Sequence, residues 1–187
     1  MEKFIKHPIT LDRKKTALLI IDVQERIYQA VRKHKNLIKN IIKLVSGAKI
    51  LNIPIFYTEQ YPKGLGNTIE LIKSELDSEA IQKLTFSCAG AGDLFLQLRQ
   101  KKIEQVIVCG IEAHVCVQQT VLDLLANDFQ VNLPVNAVSS RFKVDYDTAV
   151  KRMAQHNAEI TTVEIILFEL LQICKTDEFR KISSLIK

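Results

Sequence analysis

Tryptophan is absent from this 187-residue sequence, aromatic residues make up only 6% of it, and none of the familiar RNA- or DNA-binding signatures is present. Nucleic acid is therefore not the expected partner. No run of eighteen or more apolar residues occurs, which leaves no candidate for a membrane-spanning helix. Residues 1–15 alternate charge with isolated hydrophobes, so they lack the apolar core of a secretion signal; Glu2 and Asp12 also make them a poor transit peptide. The expectation is an intracellular protein with no membrane partner, cytoplasmic in the first place and mitochondrial as the alternative. The cysteines at positions 88, 109, 116 and 174 form neither a CxxC pair nor a short-domain disulfide framework, and they read as reduced thiols.

What is present suits one globular domain over residues 1–187, since hydrophobic residues make up 47% and can fill a substantial core. The net charge of +5 comes from Lys and Arg spread along the chain and interrupted by acids, which describes a solvated surface. Its densest cluster, Arg99, Lys101 and Lys102, suits the C-terminal end of a helix, where cations meet the negative end of the macrodipole.

Residues 15–23 (KTALLIIDV) form a short, almost continuous apolar run that ends in a polar group, as a strand buried on both faces does. Residues 36–51 then carry apolar side chains at helical spacing, and the Asn52-Ile53-Pro54 break precedes a strand over 54–58. The stretch 60–67 (QYPKGLGN) predicts an irregular loop. Further on, the pattern gives a short helix over 68–76, an extended piece over 83–87 and a helix over 92–101. A buried strand over 105–110 and a helix over 115–127 follow. The last part predicts a strand over 129–138 with a turn at Ser139-Ser140, a helix over 145–156, a strand over 159–162, and helices over 163–174 and 176–187. This β-then-α rhythm implies a three-layer α/β/α sandwich with a mostly parallel, doubly wound sheet. Such sheets bind ligands beyond the carboxyl ends of their strands.

Asp22, at the end of the first strand, and Cys116, at the start of the helix fed by the 105–110 strand, both fall where that rule places a site. Lys83 opens the extended piece KLTFSC. A helix N-terminus and a nearby ammonium each stabilise a thiolate, so the Cys116 thiol pKa should fall if Lys83 approaches it. An adjacent Asp22 carboxylate could take the thiol proton and return it to a leaving group. Taken singly, each residue has a plainer explanation: a small core cysteine, a turn or cap aspartate, a surface lysine.

The stretches LLIIDVQ, KLTFSC and VIVCGIEAHVCVQQTVLDLL, in this order and spacing, resemble the isochorismatase-like cysteine hydrolases across nearly the whole chain. TEQYPKGLG and NAVSSR look more like the isochorismatase domain-containing subgroup than like nicotinamidases. The resemblance implies the isochorismatase-like hydrolase fold and a catalytic triad of Asp22, Lys83 and Cys116. It also implies a cis peptide between Ile111 and Glu112, with backbone N–H groups there and at Cys116 facing an oxyanion, and a homo-oligomer. Hydrolysis of a small amide or related acyl substrate through a thioester is the expected reaction. Isochorismatase chemistry proper cleaves a vinyl ether and does not need the thiol.

Nicotinamidases hold a metal with an Asp-x-His arrangement after the second strand, whereas this chain has Thr58-Glu59-Gln60-Tyr61-Pro62 in that place, so neither metal nor other cofactor is expected. Gln24, Tyr61, Phe86 and His114 are candidate pocket residues, with Glu59 and Glu112 as possible additions; His114 suits a rim or structural role better than a Cys–His pair. Cys88, Cys109 and Cys174 lie among apolar neighbours and read as packing residues. Two rival functions remain open: an oligomeric scaffold or regulatory protein that keeps the fold without catalysis, and a ribonuclease role like that of some mitochondrion-associated relatives in this subgroup.

Overall fold

A computed structural model describes residues 6–187 of the chain; Glu2, and with it part of the transit-peptide reading, lies outside them. The core strand β1 (Thr16–Ile21) is buried along its whole length. Its side chains alternate between the two faces of the sheet, as the period of two requires. Ala17, Leu19 and Ile21 enter one apolar core, while Leu18 and Ile20 enter the other.

The first of these cores is closed by helices α4 (Leu94–Gln100), α5 (Gln118–Ala126) and α6 (Lys143–Gln155), through residues such as Leu98, Val121 and Met153. The second is closed by α1 (His34–Ile50), α7 (Val163–Leu171) and α8 (Asp177–Ile186). On α1 the buried side chains Leu37, Ile41, Leu44, Val45 and Ala48 recur at helical spacing and form the stripe that meets the sheet. Two single-turn helices, α2 (Pro62–Leu65) and α3 (Glu70–Lys73), lie in the connection between the second and third strands.

The seven-stranded sheet runs β3 (Ile81–Lys83), β2 (Ile55–Gln60), β1, β4 (Gln105–Ile111), β5 (Gln130–Pro134), β7 (Glu159–Thr161), with β6 (Val138–Ser139) on β4 beyond β5. Every one of these pairings is parallel. The three-layer, doubly wound architecture is thus the one the sequence predicts.

Several boundaries differ from the sequence reading. The strand expected over 129–138 is two strands, because Pro134 has no N–H to continue a ladder and Ala137 turns back to donate to its carbonyl at 2.8 Å. Val138 and Ser139 then pair with Gly110 and Ile111 of β4, so Ser139 is strand and not turn. The loop expected over 60–67 contains the α2 turn, with Pro62 at its first position, where a missing N–H costs nothing. The piece expected to be extended over 83–87 is instead a strand that ends at Lys83, since Lys83 takes the last register position opposite Gln60. Among the described residues no helix is long and apolar enough to cross a membrane.

Candidate active site

Strands β1 and β4 lie side by side, but the chain leaves them in opposite directions: from β1 outward to β2 and β3, from β4 outward to β5 and β7. A crevice opens at the carboxyl ends of such a pair. Asp22 directly follows β1, and Cys116 lies in the turn that follows β4. Beneath them the two backbones approach closely at Gly110, where φ is +118° and a Cβ would sit 2.1 Å from the Ile21 carbonyl oxygen. Only glycine fits there.

Asp22 adopts a left-handed φ of +52°, which a short polar side chain tolerates better than most, and its N–H donates to the Thr58 carbonyl at 3.2 Å. Its carboxylate is buried. Thr58 Oγ1 donates to Oδ1 at 2.8 Å, and Lys83 Nζ donates to Oδ2 at 2.6 Å. The Lys83 ammonium faces three further oxygens: Gln60 Oε1 at 2.8 Å, the Phe86 carbonyl at 3.0 Å and the Thr85 carbonyl at 3.2 Å. A fully buried cation is tolerable when it is paired and surrounded in this way.

Cys116 belongs to a π-helical turn, Ala113–Val117, and not to the first turn of α5 as the sequence suggested. Cys116 is 7% exposed, and the charges of both Asp22 and Lys83 act on its thiol. The expected fall in its pKa is not found. Burial pushes the thiol well above its ordinary value and the Asp22 charge adds to this, while the Lys83 ammonium pulls the other way and loses. The reason is burial first, which disfavours any thiolate, and then the joint arrival of Asp22 and Lys83, whose opposite charges act against each other on the sulfur.

The Ile111–Glu112 peptide bond is cis. Glu112 accepts from the Arg141 N–H at 2.9 Å and from Arg141 Nε at 3.1 Å, so its carboxylate fastens the turn to the segment before α6. Val115 and Val117 both donate their N–H groups to the Glu112 carbonyl, at 3.0 and 3.2 Å. His114 Nδ1 faces Ser140 Oγ at 3.0 Å, and its Nε2 lies 3.9 Å from Asp145. Behind Ser140, a cavity of about 350 Å³ opens between the starts of α1 and α6, lined in part by Arg32, Lys33 and Lys143 and by none of Asp22, Lys83 and Cys116.

Gln24 lies two residues beyond Asp22. It is fully buried, and its amide is spent on backbone, donating to Gln60 O at 3.0 Å and Gly66 O at 2.6 Å and accepting from Gln60 N–H at 2.8 Å. It ties the segment after β1 to the end of β2 and to the loop at Gly66. Glu59 is similarly used, accepting from the Thr68 N–H at 2.7 Å. Tyr61 and Phe86 are 51% and 54% exposed. Cys88 and Cys109 are buried as expected, but Cys174 is exposed, because α7 ends at Leu171 and the chain leaves the core before reaching it.

The sequence reading missed Thr58 and Gln60, which hold Asp22 and Lys83, and Thr120. The Thr120 hydroxyl donates to the Cys116 carbonyl at 2.7 Å and accepts from the Cys88 N–H at 2.9 Å. The available signal was a run of polar residues, Thr58-Glu59-Gln60, at the end of a strand too central to spend them on solvent.

A parallel sheet of this order, with Asp22 and Cys116 at the carboxyl ends of its two central strands, is the fold of the isochorismatase-like hydrolases. The isochorismatase domain model matches residues 16–165, and the chain belongs to that family. It is 36% identical over 172 residues to isochorismatase domain-containing protein 1 of Salmo salar, covering 92% of this chain but only 61% of that protein's length. The MAR1 ribonuclease of Caenorhabditis elegans superposes with a TM-score of 0.87 at 36% identity, over 94% of this chain and 91% of the other. At 22% identity the YcaC gene product of Escherichia coli, an octameric hydrolase of unknown specificity, shares the fold with a TM-score of 0.90, over 97% of this chain and 91% of that one.

Proposed function

We propose that this protein is a cysteine hydrolase that cleaves a small amide or related acyl compound through a thioester on Cys116, with Asp22 moving the proton and Lys83 stabilising charge. The observation that carries the reading is the buried Asp22 carboxylate, ion-paired to Lys83 at 2.6 Å, with the charges of both bearing on the buried Cys116 thiol. Each carboxylate oxygen has more than one lone pair, so Asp22 can hold Lys83 and Thr58 and still accept a proton. In the first half-reaction the sulfur bonds to the carbonyl carbon as its proton passes to Asp22. Asp22 then gives that proton to the departing nitrogen, and the C–N bond breaks to leave a thioester. In the second, water loses a proton to Asp22 and attacks the thioester, and the proton returns to the sulfur as the acid leaves.

The oxyanion would be met by N–H groups of the Ala113–Val117 turn, including that of Cys116; those of Val115 and Val117 are already bonded to Glu112. Tyr61, Phe86 and His114 are proposed as substrate walls. A homo-oligomer belongs to the same proposal, supported by the exposed apolar side chains Ile165 and Phe168 on α7. An intracellular, reducing compartment would keep the sulfur available.

A panel of small amides assayed against wild type and Cys116→Ala tests the proposal. Turnover of at least one amide that vanishes in the variant is the expected result, and turnover that survives the substitution ends it. The likeness to a protein named as a ribonuclease favours one competing reading. RNA cleavage that persists in Cys116→Ala would establish that competitor in its place.

A further inference from the structure

Beside the ion pair, the structure contains a closed ring of hydrogen bonds whose members are all buried. Asp22 bonds Lys83, Lys83 bonds the Gln60 side chain, and the Gln60 backbone is held on both its N–H and its carbonyl by the amide of Gln24. Gln24 lies two residues along the chain from Asp22, and its N–H returns to the Asp22 carbonyl at 2.9 Å. The other end of the Gln60 amide is used as well, with Nε2 donating to the Leu84 carbonyl at 2.8 Å. One glutamine thus grips both the ammonium of Lys83 and the peptide that follows it.

We infer that Gln60, clamped by Gln24, is a positioning residue that fixes the Lys83 ammonium against Asp22 without adding charge, and so sets how readily the Cys116 thiol ionises. Being neutral is the point of this choice. An ammonium in a dry site demands oxygen acceptors, and a second carboxylate would supply one more. That carboxylate would also leave the site negative and oppose a thiolate. A side-chain amide meets the first need without incurring the second. Its fixed geometry follows from Gln24, two of whose hydrogen bonds hold the Gln60 backbone on both its N–H and its carbonyl while the third anchors Gln24 itself to the Gly66 carbonyl. For its purpose this inference rests on the hydrolase reading, but its test does not.

The experiment is the rate of alkylation of Cys116 by iodoacetamide as a function of pH, followed by mass spectrometry at that residue, with thermal unfolding of each variant alongside. Gln60→Glu keeps length and shape and adds a charge beside Lys83. It should slow alkylation at every pH where the protein stays folded, by about three- to fourfold for each unit that the thiol rises. Gln60→Met keeps the length, adds no charge and removes the grip, and should slow alkylation by less. A merely structural role would lower the unfolding temperature and leave the alkylation rate of the folded protein where it is. If either variant folds and its profile superimposes on that of the wild type, the inference is overturned. Shifted profiles with no amide turnover in the wild type would uphold the positioning role while removing the hydrolase reading; turnover with unshifted profiles would do the reverse.

Discussion

Replacing Asp22 with asparagine keeps the shape of the side chain and removes the charge that the Lys83 ammonium faces at 2.6 Å. Taking one partner from a buried pair typically costs about 3–5 kcal/mol, because the other charge is left uncompensated. Lys83 retains the Gln60, Thr85 and Phe86 oxygens, so the loss should lie near about 3 kcal/mol at the lower end of that range. Chemical denaturation with unchanged m reads it directly. The same substitution removes both influences by which Asp22 raises the Cys116 thiol, its charge and its hydrogen bond, and leaves the opposing Lys83 in place. The thiol pKa should therefore fall. Each unit of fall multiplies the thiolate fraction tenfold, and allowing for the lower nucleophilicity of a less basic sulfur leaves alkylation about three- to fourfold faster per unit below the midpoint. Amide turnover should meanwhile disappear, because no group remains to carry the proton. A variant that is less stable, inactive and yet more reactive toward iodoacetamide is the expected outcome. If folded Asp22→Asn alkylates more slowly than wild type, the carboxylate activates the sulfur at rest, and an Asp22 charge that holds the proton on Cys116 is the wrong electrostatic account of the site.

Gly110→Ala should destabilise the fold by roughly 2–5 kcal/mol, combining a φ that L residues avoid with a Cβ forced against backbone that cannot rotate away; a loss below about 1 kcal/mol in the same denaturation assay would show that β1 and β4 can separate beneath the site. Stability should also fall on the alkaline side. Cys88 is held up to about 11 from an ordinary value of 9.0, mainly by burial, so the folded protein keeps a proton that the unfolded chain gives up. Its contribution is intact below pH 9 and is lost as the pH rises toward about 11, by about 3 kcal/mol, with Cys109 and Cys116 acting in the same direction. Stability of Cys88→Ala measured across that interval should decline less steeply than that of wild type, and parallel curves would refute the assignment.

The strands that carry the site were legible because each is an apolar run closed by a polar residue: β1 ends at Ile21 before Asp22, and β4 runs from Gln105 to Ile111 before the Cys116 turn. Burial on both faces leaves a continuous hydrophobic signature that no neighbour can disguise. Strand β3 was misplaced for the opposite reason. Its three residues, Ile81–Lys83, have too short a pattern to show a period, and their extent is decided by register against β2. Gln60 was invisible as a holder of Lys83, since nothing local in a glutamine states that its partner lies on the neighbouring strand. For Gln24 the position near Asp22 is legible in the sequence, and its hydrogen bonds to Gln60 and Gly66 are not. Physical reading of single residues left Asp22, Lys83 and Cys116 open to plainer explanations; it was resemblance to a family that grouped them. The sign of the Cys116 shift is not legible locally either, because it is set first by how deeply folding buries the sulfur and only then by the opposed charges of Asp22 and Lys83.

A thiol held protonated need not conflict with a nucleophilic role. Its raised pKa describes loss of a proton to solvent, which would leave a thiolate, a carboxylate and one ammonium together out of water, with a net charge of −1 in the site. The proposed reaction asks for something else: the proton moves from sulfur to Asp22 and stays inside. Before that transfer the site holds a thiol, a carboxylate and an ammonium; after it, a thiolate, a carboxylic acid and an ammonium. Both arrangements are neutral overall and contain the same number of protons, so their ratio does not depend on pH, and burial penalises them far less unequally than it does loss to solvent. What tips the balance is a substrate carbonyl close enough to take the electron pair as the proton leaves. On this view the site is quiescent toward bulk base and becomes reactive only when filled, which is why the neutrality of Gln60 matters as much as the charge of Lys83.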